Sequence, residues 1–577
     1  MRAGQTNPSK HLTERFLSLA THLILFFLSV GIFIHVGWLF GVTINQFTLP
    51  ITFGLYIVIA LVLSKIIDPK RFIPHLKDIG IFAITAVLIA IAGIAIFSHT
   101  YDTSYDGQSY HQSAITSMVH GWNPLYDTQL PQAIVQGEIY VQGYPKLYWE
   151  FYASFAKMTD SLNAATVLNI IPFIVVLICV YYLLSVVLRL NKWALPLTLL
   201  GVVSIYFVQQ VFSFMADGTS YEFGVAAIAL VAAMFITKKA PLKLIIPFVG
   251  LLIILLAIKF NNAPLVIILS LFGLFHFYKT RAYQNTKTLV VIGSAVICAF
   301  LVLWSPFITN YMRHESPIYP MNLSAPKSNL RYDNIPSNIR KADSAQLLFY
   351  GIFSSAQPSS AGDVKSSDNV ATLKLPFTFT AKELASTDDF LGRVGSGGVL
   401  FSGAVVVSIL LFVIMLARLN GSKDEKIIGY IILFVGILII LGLVNPVANK
   451  LRYAPFITLL PLVVVIGSLL ITRSKDWLIA AVRWVVVITI AANIFLFSIS
   501  IISQRMNEFG AIDKQDRMLQ TAPQPIGLIS RAFSSIAYRL DEQGIKYKIV
   551  TRCHNDEHGI EVASSFKSAY YCINIKK

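Results

Sequence analysis

The sequence predicts a polytopic α-helical membrane protein with a small α/β domain at its C-terminal end. Three observations predict it. Hydrophobic residues make up 55% of the 577 and charged residues only 13%, with a mean hydropathy of +0.66. Soluble domains carry about 25% charged residues, so this chain lacks the polar surface to stay dispersed in water and needs lipid as its solvent. About thirteen apolar runs approach or exceed the roughly 18 residues of a membrane-spanning helix. Lys and Arg recur in alternate connecting segments, the bias that orients helices in a membrane.

The runs lie at 16–40, 48–67, 79–98, 163–189, 193–213, 221–237, 242–260, 263–278, 287–309, 397–417, 427–445, 452–472 and 477–502. With the N-terminus in the cytoplasm, the cytoplasmic segments are 1–15, 65–78, 189–192, 238–243, 279–287, 418–426 and 473–475, and each carries Lys or Arg. On the opposite side, 41–50 has no charge and 215–220 has one, Asp217. That side also receives three polar regions, 98–162, 310–395 and 504–577. The expected organisation is an N-terminal membrane hairpin (1–78), a transmembrane core (79–503) with outer loops 98–162 and 310–395, and an extracytoplasmic α/β domain (504–577), all on the cytoplasmic (inner) membrane. The first run is too long for a signal-peptide core and no small-residue cleavage site follows it, so it is expected to stay as a helix.

The net charge of +16 is dispersed over short connectors rather than gathered in a basic-aromatic module. That excludes nucleic acid as a partner. In the tail, 529–544 has the pattern of an amphipathic helix stopped by Gly544. The stretches 547–551 and 570–575 alternate as strands do. Cys179 and Cys298 sit in apolar runs as packing residues. Cys553 and Cys572 can bridge if the tail lies outside; two free thiols is the other reading.

The first outer loop reads HTYDTSYDGQSYHQSAITSMVHGWNPLYD. A helix over 108–120, lying on the membrane, would present His111, Ala114, Ile115 and Met118 on one face. Asp106 would then stand at its start, where a carboxylate caps a helix. The functional alternative is a carboxylate at the lipid–water boundary that takes a proton or holds a metal. Tyr144-Pro145-Lys146 and Trp149-Glu150 follow, with the composition of interfacial anchors, and Lys146 can also neutralise a lipid phosphate. Ionisable residues recur at the outer ends of spans: Asp217, Lys259, Arg313, His314, Glu315 and Arg452, with Tyr319 and Tyr453 beside them. Singly they suit snorkelling or capping. Together they place acids and bases around one outward region, where ionisable groups tend to mark function. A carboxylate base with Lys and Arg suits a phosphate on a lipid carrier. The chain has no Walker loop, no HExxH and no GxSxG in a strand–turn–helix setting. It shows no matched pair of broken helices and no acid buried within a span, as an ion-coupled transporter would need.

The order Asp106, Tyr110, His111, then Gly121-Trp122-Asn123-Pro124, then Tyr144-Pro145-Lys146 resembles the first outer loop of bacterial membrane glycosyltransferases of the GT-C superfamily. Met215-Ala216-Asp217-Gly218, Ser316-Pro317-Ile318-Tyr319-Pro320 and Arg452-Tyr453-Ala454-Pro455 are similar to later parts of that group. The resemblance implies a GT-C-like bundle of about thirteen helices and an inverting sugar transfer from a polyprenyl-phosphate donor to a glycan, lipid or protein acceptor. It implies Asp106 as general base, with Asp102 as the other candidate and His111 orienting base or acceptor. It further implies Lys259, Arg452 and Lys146 on the donor phosphate, and Asp217, His314, Tyr319 and Tyr453 around the substrate. Two features depart from the group's pattern. The loop follows the third span rather than the first, and Asp102 and Asp106 are spaced DxxxD rather than DxD, which leaves a divalent metal open. Two alternatives stay open. A lipid-linked polysaccharide polymerase or ligase would use Arg313, His314, Arg331 and Arg340 of the 310–395 loop. A non-catalytic transporter of lipid-linked glycan would need charges at mid-membrane.

Overall fold

A backbone removed from water must satisfy its own N–H and C=O groups, so apolar segments of this length fold as helices. The computed structural model describes residues 8–67, 72–131, 137–239, 241–321, 335–356, 370–386, 394–530, 533–554, 557–565 and 569–573. Among these, eight helical stretches are long and apolar enough to cross a membrane: Leu12–Leu39, His75–His99, Asn163–Val187, Asp217–Thr237, Phe260–Lys279, Thr286–His314, Ser422–Leu443 and Trp477–Thr521. The chain is thus a mostly helical protein with several candidate spans.

The expected count of about thirteen is corrected here. Four of the remaining runs form shorter apolar helices, Thr48–Val62, Leu242–Ile258, Phe401–Ala417 and Pro455–Leu470. The run at 193–213 is broken into Asn191–Val202 and Ile205–Gln210. Val203 leaves helical geometry at ψ 66°, and the Ser204 hydroxyl accepts the Phe207 N–H (3.1 Å), which starts a second helix. A window average of hydropathy does not register such a break.

The chain divides into two compact units. The first comprises Met1–Arg189, Gln210–Asn322 and Asn507–Lys577; the second comprises Leu190–Gln209 and Leu323–Met506. In the first unit, helix Pro8–Leu39 packs on Ile170–Tyr182 and Leu242–Ile258, and Asp217–Thr237 packs on the same two helices. Asp217–Thr237 is buried almost all round, as a helix with no polar stripe must be. The second unit packs Phe401–Ala417 and Ser422–Leu443 against Leu460–Leu470, and its core includes Ile335, Leu347, Val394, Phe401, Leu451 and Ile457.

The C-terminal segment adds a four-stranded sheet: β1 (Ile526–Ser530), β2 (Tyr547–Ile549), β3 (His558–Glu561) and β4 (Ala569–Ile573), in the order β2-β1-β4-β3. β1 and β2 are parallel and are joined through helix Ser535–Glu542; β4 is antiparallel to both β1 and β3. The expected helix over 529–544 is therefore shorter. Ile526 and Leu528 are buried in a central strand, and that strand takes up residues which also fit a helical period. Gly544 does end the helix region, at φ +67°. The strand expected at 570–575 is β4, and 574–575 lie outside the described residues. β3 is largely exposed and polar, which hid it from pattern reading. Cys553 and Cys572 form a disulfide across a sequence separation of 19, worth about 3 kcal/mol by the loop-closure estimate. Trp477–Thr521 is one helix of 45 residues, about 67 Å long at 1.5 Å per residue. It runs straight through the boundary expected at 503/504.

Candidate active site

The first polar loop opens with a turn built on Asp102, which is 6% exposed. Its Oδ1 accepts the Ser104 N–H (2.8 Å) and the Ser104 hydroxyl (2.6 Å). Its Oδ2 accepts the Ser213 hydroxyl (3.1 Å) and the Phe214 N–H (2.8 Å). A carboxylate has about four acceptor sites, so these donors fill it. One oxygen holds the segment leading to Asp106; the other holds the segment leading to Asp217. Gly107 lies directly against this carboxylate, and a Cβ there would collide with Asp102 Oδ2 and Ser104 Oγ. Only glycine lets the chain pass so close. Asp102 is thus buried as a bracket between these two segments.

Residues 107–111 form one π-turn, which continues into helix Gln112–Val119. Such turns are rare and recur at functional sites. Asp106 is half-buried and already helical at φ −63° and ψ −39°, and its side chain makes no capping bond. The expected cap is therefore absent, because a cap residue must stand outside helical geometry to fold back on the first N–H groups. His111, Ala114, Ile115 and Met118 are buried as expected, but so are Ser113, Thr116 and Ser117. The helix is enclosed rather than resting on a membrane by one face. It is packed against helix Leu147–Thr159 and against Ser535–Glu542 of the C-terminal domain. Its end is a turn that explains the Gly-Trp-Asn-Pro sequence. Gly121 sits at φ +90° and donates to Met118 O (3.1 Å), and Trp122 donates to Ser117 O (3.0 Å). That pairing of bonds closes a helix through a left-handed glycine. Asn123 then ties the turn to Trp38 O (3.1 Å).

His111 Nδ1 accepts the indole N–H of Trp149 at 2.8 Å. Indole only donates, so Nδ1 carries no proton and the neutral ring holds its proton on Nε2. Lys146 is 1% exposed. Its Nζ donates to the carbonyls of Gln142 (2.7 Å) and Tyr144 and lies 5.7 Å and 5.5 Å from the ring centres of Trp122 and Trp149. It ties down the turn before Leu147–Thr159 and does not face a lipid phosphate, which corrects the expected role. Burial, helped by Arg313, pulls its pKa from the ordinary 10.5 down to about 7, against the pull of Glu150. Between those values the unfolded chain binds a proton that the folded chain does not, so folding stability rises with pH from about 7 toward 10.5. Thermal unfolding across that window is expected to show the rise in the wild type and lose it in Lys146→Met. Parallel curves would remove the assignment.

Asp217 and Lys259 form a direct ion pair, with side chains 6% and 17% exposed. Asp217 lies in the first turn of its helix, where the backbone dipole favours a negative charge. Lys259 sits at φ −157° in the break after Leu242–Ile258. The chain before Asp217 is fixed by Asn169, whose Nδ2 lies within 2.8–3.2 Å of the carbonyls of Ser213, Gln210 and Val211 and whose Oδ1 accepts the Tyr152 hydroxyl (2.7 Å). Breaking a buried pair from one side strands a charge and costs about 3–5 kcal/mol. Lys259→Met is expected to cost that much in a denaturation series, and the double change Lys259→Met with Asp217→Asn to recover most of it. Equal losses in both would refute the pairing.

His314 and Tyr319 meet each other, with rings stacked at 3.7 Å. The segment that carries Tyr319 is seated by Asn310, whose Nδ2 donates to Gly143 O (2.8 Å) and Tyr319 O (3.0 Å). Arg313 donates to Leu125 O (2.9 Å). Three tyrosines, Tyr110, Tyr140 and Tyr144, cluster with ring centres 5.3–5.7 Å apart, and Tyr144 reaches Phe260, next to Lys259, at 6.0 Å. Arg452 and Tyr453 belong to the second unit. The Arg452 guanidinium donates to the Tyr453 hydroxyl (2.8 Å) and lies 4.7 Å from its ring centre. Arg331 falls outside the described residues. Among the described residues, the one group with metal-ligand spacing is Cys553, Glu557 and Cys572, whose two sulfurs are taken by the disulfide.

Glu150, expected as an interfacial anchor, and Glu222, not singled out by the sequence, are both buried acids. Glu150 is fully buried and its Oε1 lies 2.8 Å from His35 Nε2. His35 Nδ1 must donate to Leu301 O (2.8 Å), so a single proton is shared between Nε2 and Oε1. Glu222 is 1% exposed inside the Asp217–Thr237 stretch. The expectation of no buried acid within a span is overturned by it. The helix begins at Asp217 rather than 221, which draws Glu222 inward. The signal available was His35 itself, an ionisable residue in an apolar run. No protein-family model, curated protein or solved structure matches the chain.

Proposed function

We propose that the chain is a membrane glycosyltransferase of GT-C type. It moves a sugar from a polyprenyl-phosphate donor to a hydroxyl of a glycan, lipid or protein acceptor, on the extracytoplasmic face of the inner membrane. The observation that carries this reading is the division of labour between two aspartates. Asp102 spends all its acceptor sites on holding two segments. Asp106, half-exposed at the head of a π-turn, is the acid assigned here to the chemistry. In the reaction Asp106 takes the proton of the acceptor hydroxyl as its oxygen attacks the anomeric carbon. The bond from that carbon to the phosphate oxygen breaks, and the lipid phosphate leaves with the electron pair. Lys259 exchanges Asp217 for the phosphate as negative charge develops there. His111, neutral and held by Trp149, orients the acceptor. The disulfide supports an oxidising side for the C-terminal domain.

The buried Glu222 and the His35–Glu150 pair favour a second reading, a transporter of lipid-linked glycan. One experiment separates them. Purified protein in lipid vesicles is given polyprenyl-phosphate sugars and membrane extract, and both sugar transfer and movement of lipid-linked glycan across the bilayer are followed. Transfer that depends on Asp106 supports the enzyme. Movement without transfer from any donor supports the transporter and ends the enzymatic reading.

A further inference from the structure

The helix that carries Asp106 is weak by composition. Between Ser109 and Ser117 it holds three Ser and one Thr, which compete with the backbone for hydrogen bonds. Ser113, Thr116 and Ser117 each donate a hydroxyl back to the carbonyl four residues earlier, at Ser109, Gln112 and Ser113, a bond that loosens and bends helices. A helical stretch this short is marginal alone, so its geometry depends on what it packs against.

The C-terminal domain grips it. Gln108 Nε2 donates to the Ser564 carbonyl (2.8 Å), the Ser113 and Ser534 hydroxyls meet at 2.9 Å, and the Ser535 hydroxyl donates to the Gln108 carbonyl (3.4 Å). Tyr105 packs edge-on to Phe533, a fully buried residue of the domain core, with ring centres 5.5 Å apart. At the other end of the loop, the Leu162 N–H donates to Glu542 Oε1 (2.6 Å). Ser564 holds φ +59°, a left-handed conformation that a serine keeps only where its surroundings enforce it. Ser564 lies inside the loop closed by Cys553 and Cys572.

We infer that the C-terminal domain is a brace that positions Asp106 through Gln108 and Ser113, and that the Cys553–Cys572 bridge maintains its grip. The inference rests on the proposed function only where it treats Asp106 as a base. A dithiol reductant opens the bridge by giving two electrons and two protons to the cysteine sulfurs, yielding two thiols and its own cyclic disulfide.

The test is hydrogen exchange on the full chain in lipid nanodiscs, which needs no substrate. Reduction, or the Cys553→Ser/Cys572→Ser variant, is expected to speed exchange across 105–119 by about ten-fold or more, with Asp217–Thr237 unchanged. Protection of β1 reports whether the sheet stays folded. Should it unfold while 105–119 stays protected, the brace is refuted. Gln108→Ala and Ser534→Ala break single contacts in an intact domain and are expected to speed the same exchange, with Ser534→Thr restoring it. Unchanged exchange in both alanine variants overturns the inference. In sugar transfer these variants are expected to lower kcat with little change in KM. Faster exchange in a protein that never transfers sugar would leave the brace standing and remove the enzymatic reading.

Discussion

Asp106→Asn is expected to lower the rate of sugar transfer by about 10²–10⁴-fold, the usual contribution of a general base. Asn keeps the shape of the side chain but cannot take a proton at neutral pH. Asp106 is half-exposed and makes no capping bond, so the change is expected to cost no helix cap, and thermal unfolding reports any loss of fold separately from the loss of rate. The loss is expected to fall on kcat rather than KM, since a base acts on the proton in flight and not on donor binding. Asp106→Glu keeps the charge and moves it, and is expected to retain part of the rate. Steady-state transfer beside thermal unfolding decides the matter. Full transfer by Asp106→Asn would remove the base assignment whatever the family resemblance suggests.

Asp102→Asn is expected to do the opposite, damaging the fold first and activity as a result. The carboxylate is buried and accepts four hydrogen bonds from Ser104, Ser213 and Phe214. An amide keeps one oxygen and turns the other into a donor, which then faces N–H or O–H groups that also donate. Hydrogen bonds to a charged group are worth about 1.5–3 kcal/mol each, and two are lost, so a destabilisation of about 3–6 kcal/mol follows. Gly107→Ala should give the same outcome by another route, since its methyl group displaces the carboxylate. Chemical denaturation in detergent measures this directly. A variant as stable as the wild type would mean that Asp102 is not the bracket between these segments.

The two aspartates show where sequence reading stops. Asp102 and Asp106 are alike in type and loop, and nothing in the neighbouring sequence marks Asp102 as the bracket between two segments. The partner that separates them, Ser213, is 111 residues away. Lys146 misled for the same reason. A Lys beside Tyr and Pro before a helix has the composition of an interfacial anchor, and only the three-dimensional approach of Trp122 and Trp149 reveals a buried amine. What could be read was set by large, additive signals. Composition and long apolar runs predict helices in lipid. The face of His111, Ala114, Ile115 and Met118 followed from the helical period, and Gly544 from its freedom at positive φ. The pairing of Asp217 with Lys259 was visible only as two charges at span ends. Their contact depends on the break after Leu242–Ile258, which hydropathy does not locate.

The hydrogen bond from Trp149 to His111 also has a spectroscopic consequence. The chain has seven tryptophans. The Trp149 indole proton points at an imidazole nitrogen, whereas the buried indoles of Trp38 and Trp122 have no acceptor among the described residues. In a protein labelled with ¹⁵N at tryptophan, the Trp149 indole resonance therefore belongs far downfield, and those of Trp38 and Trp122 at the opposite extreme. The Trp149 signal can be assigned by position alone, and those of Trp38 and Trp122 as a pair. The Trp149 signal reports whether its hydrogen bond to His111 is made or broken as donor or acceptor is added, without any added probe.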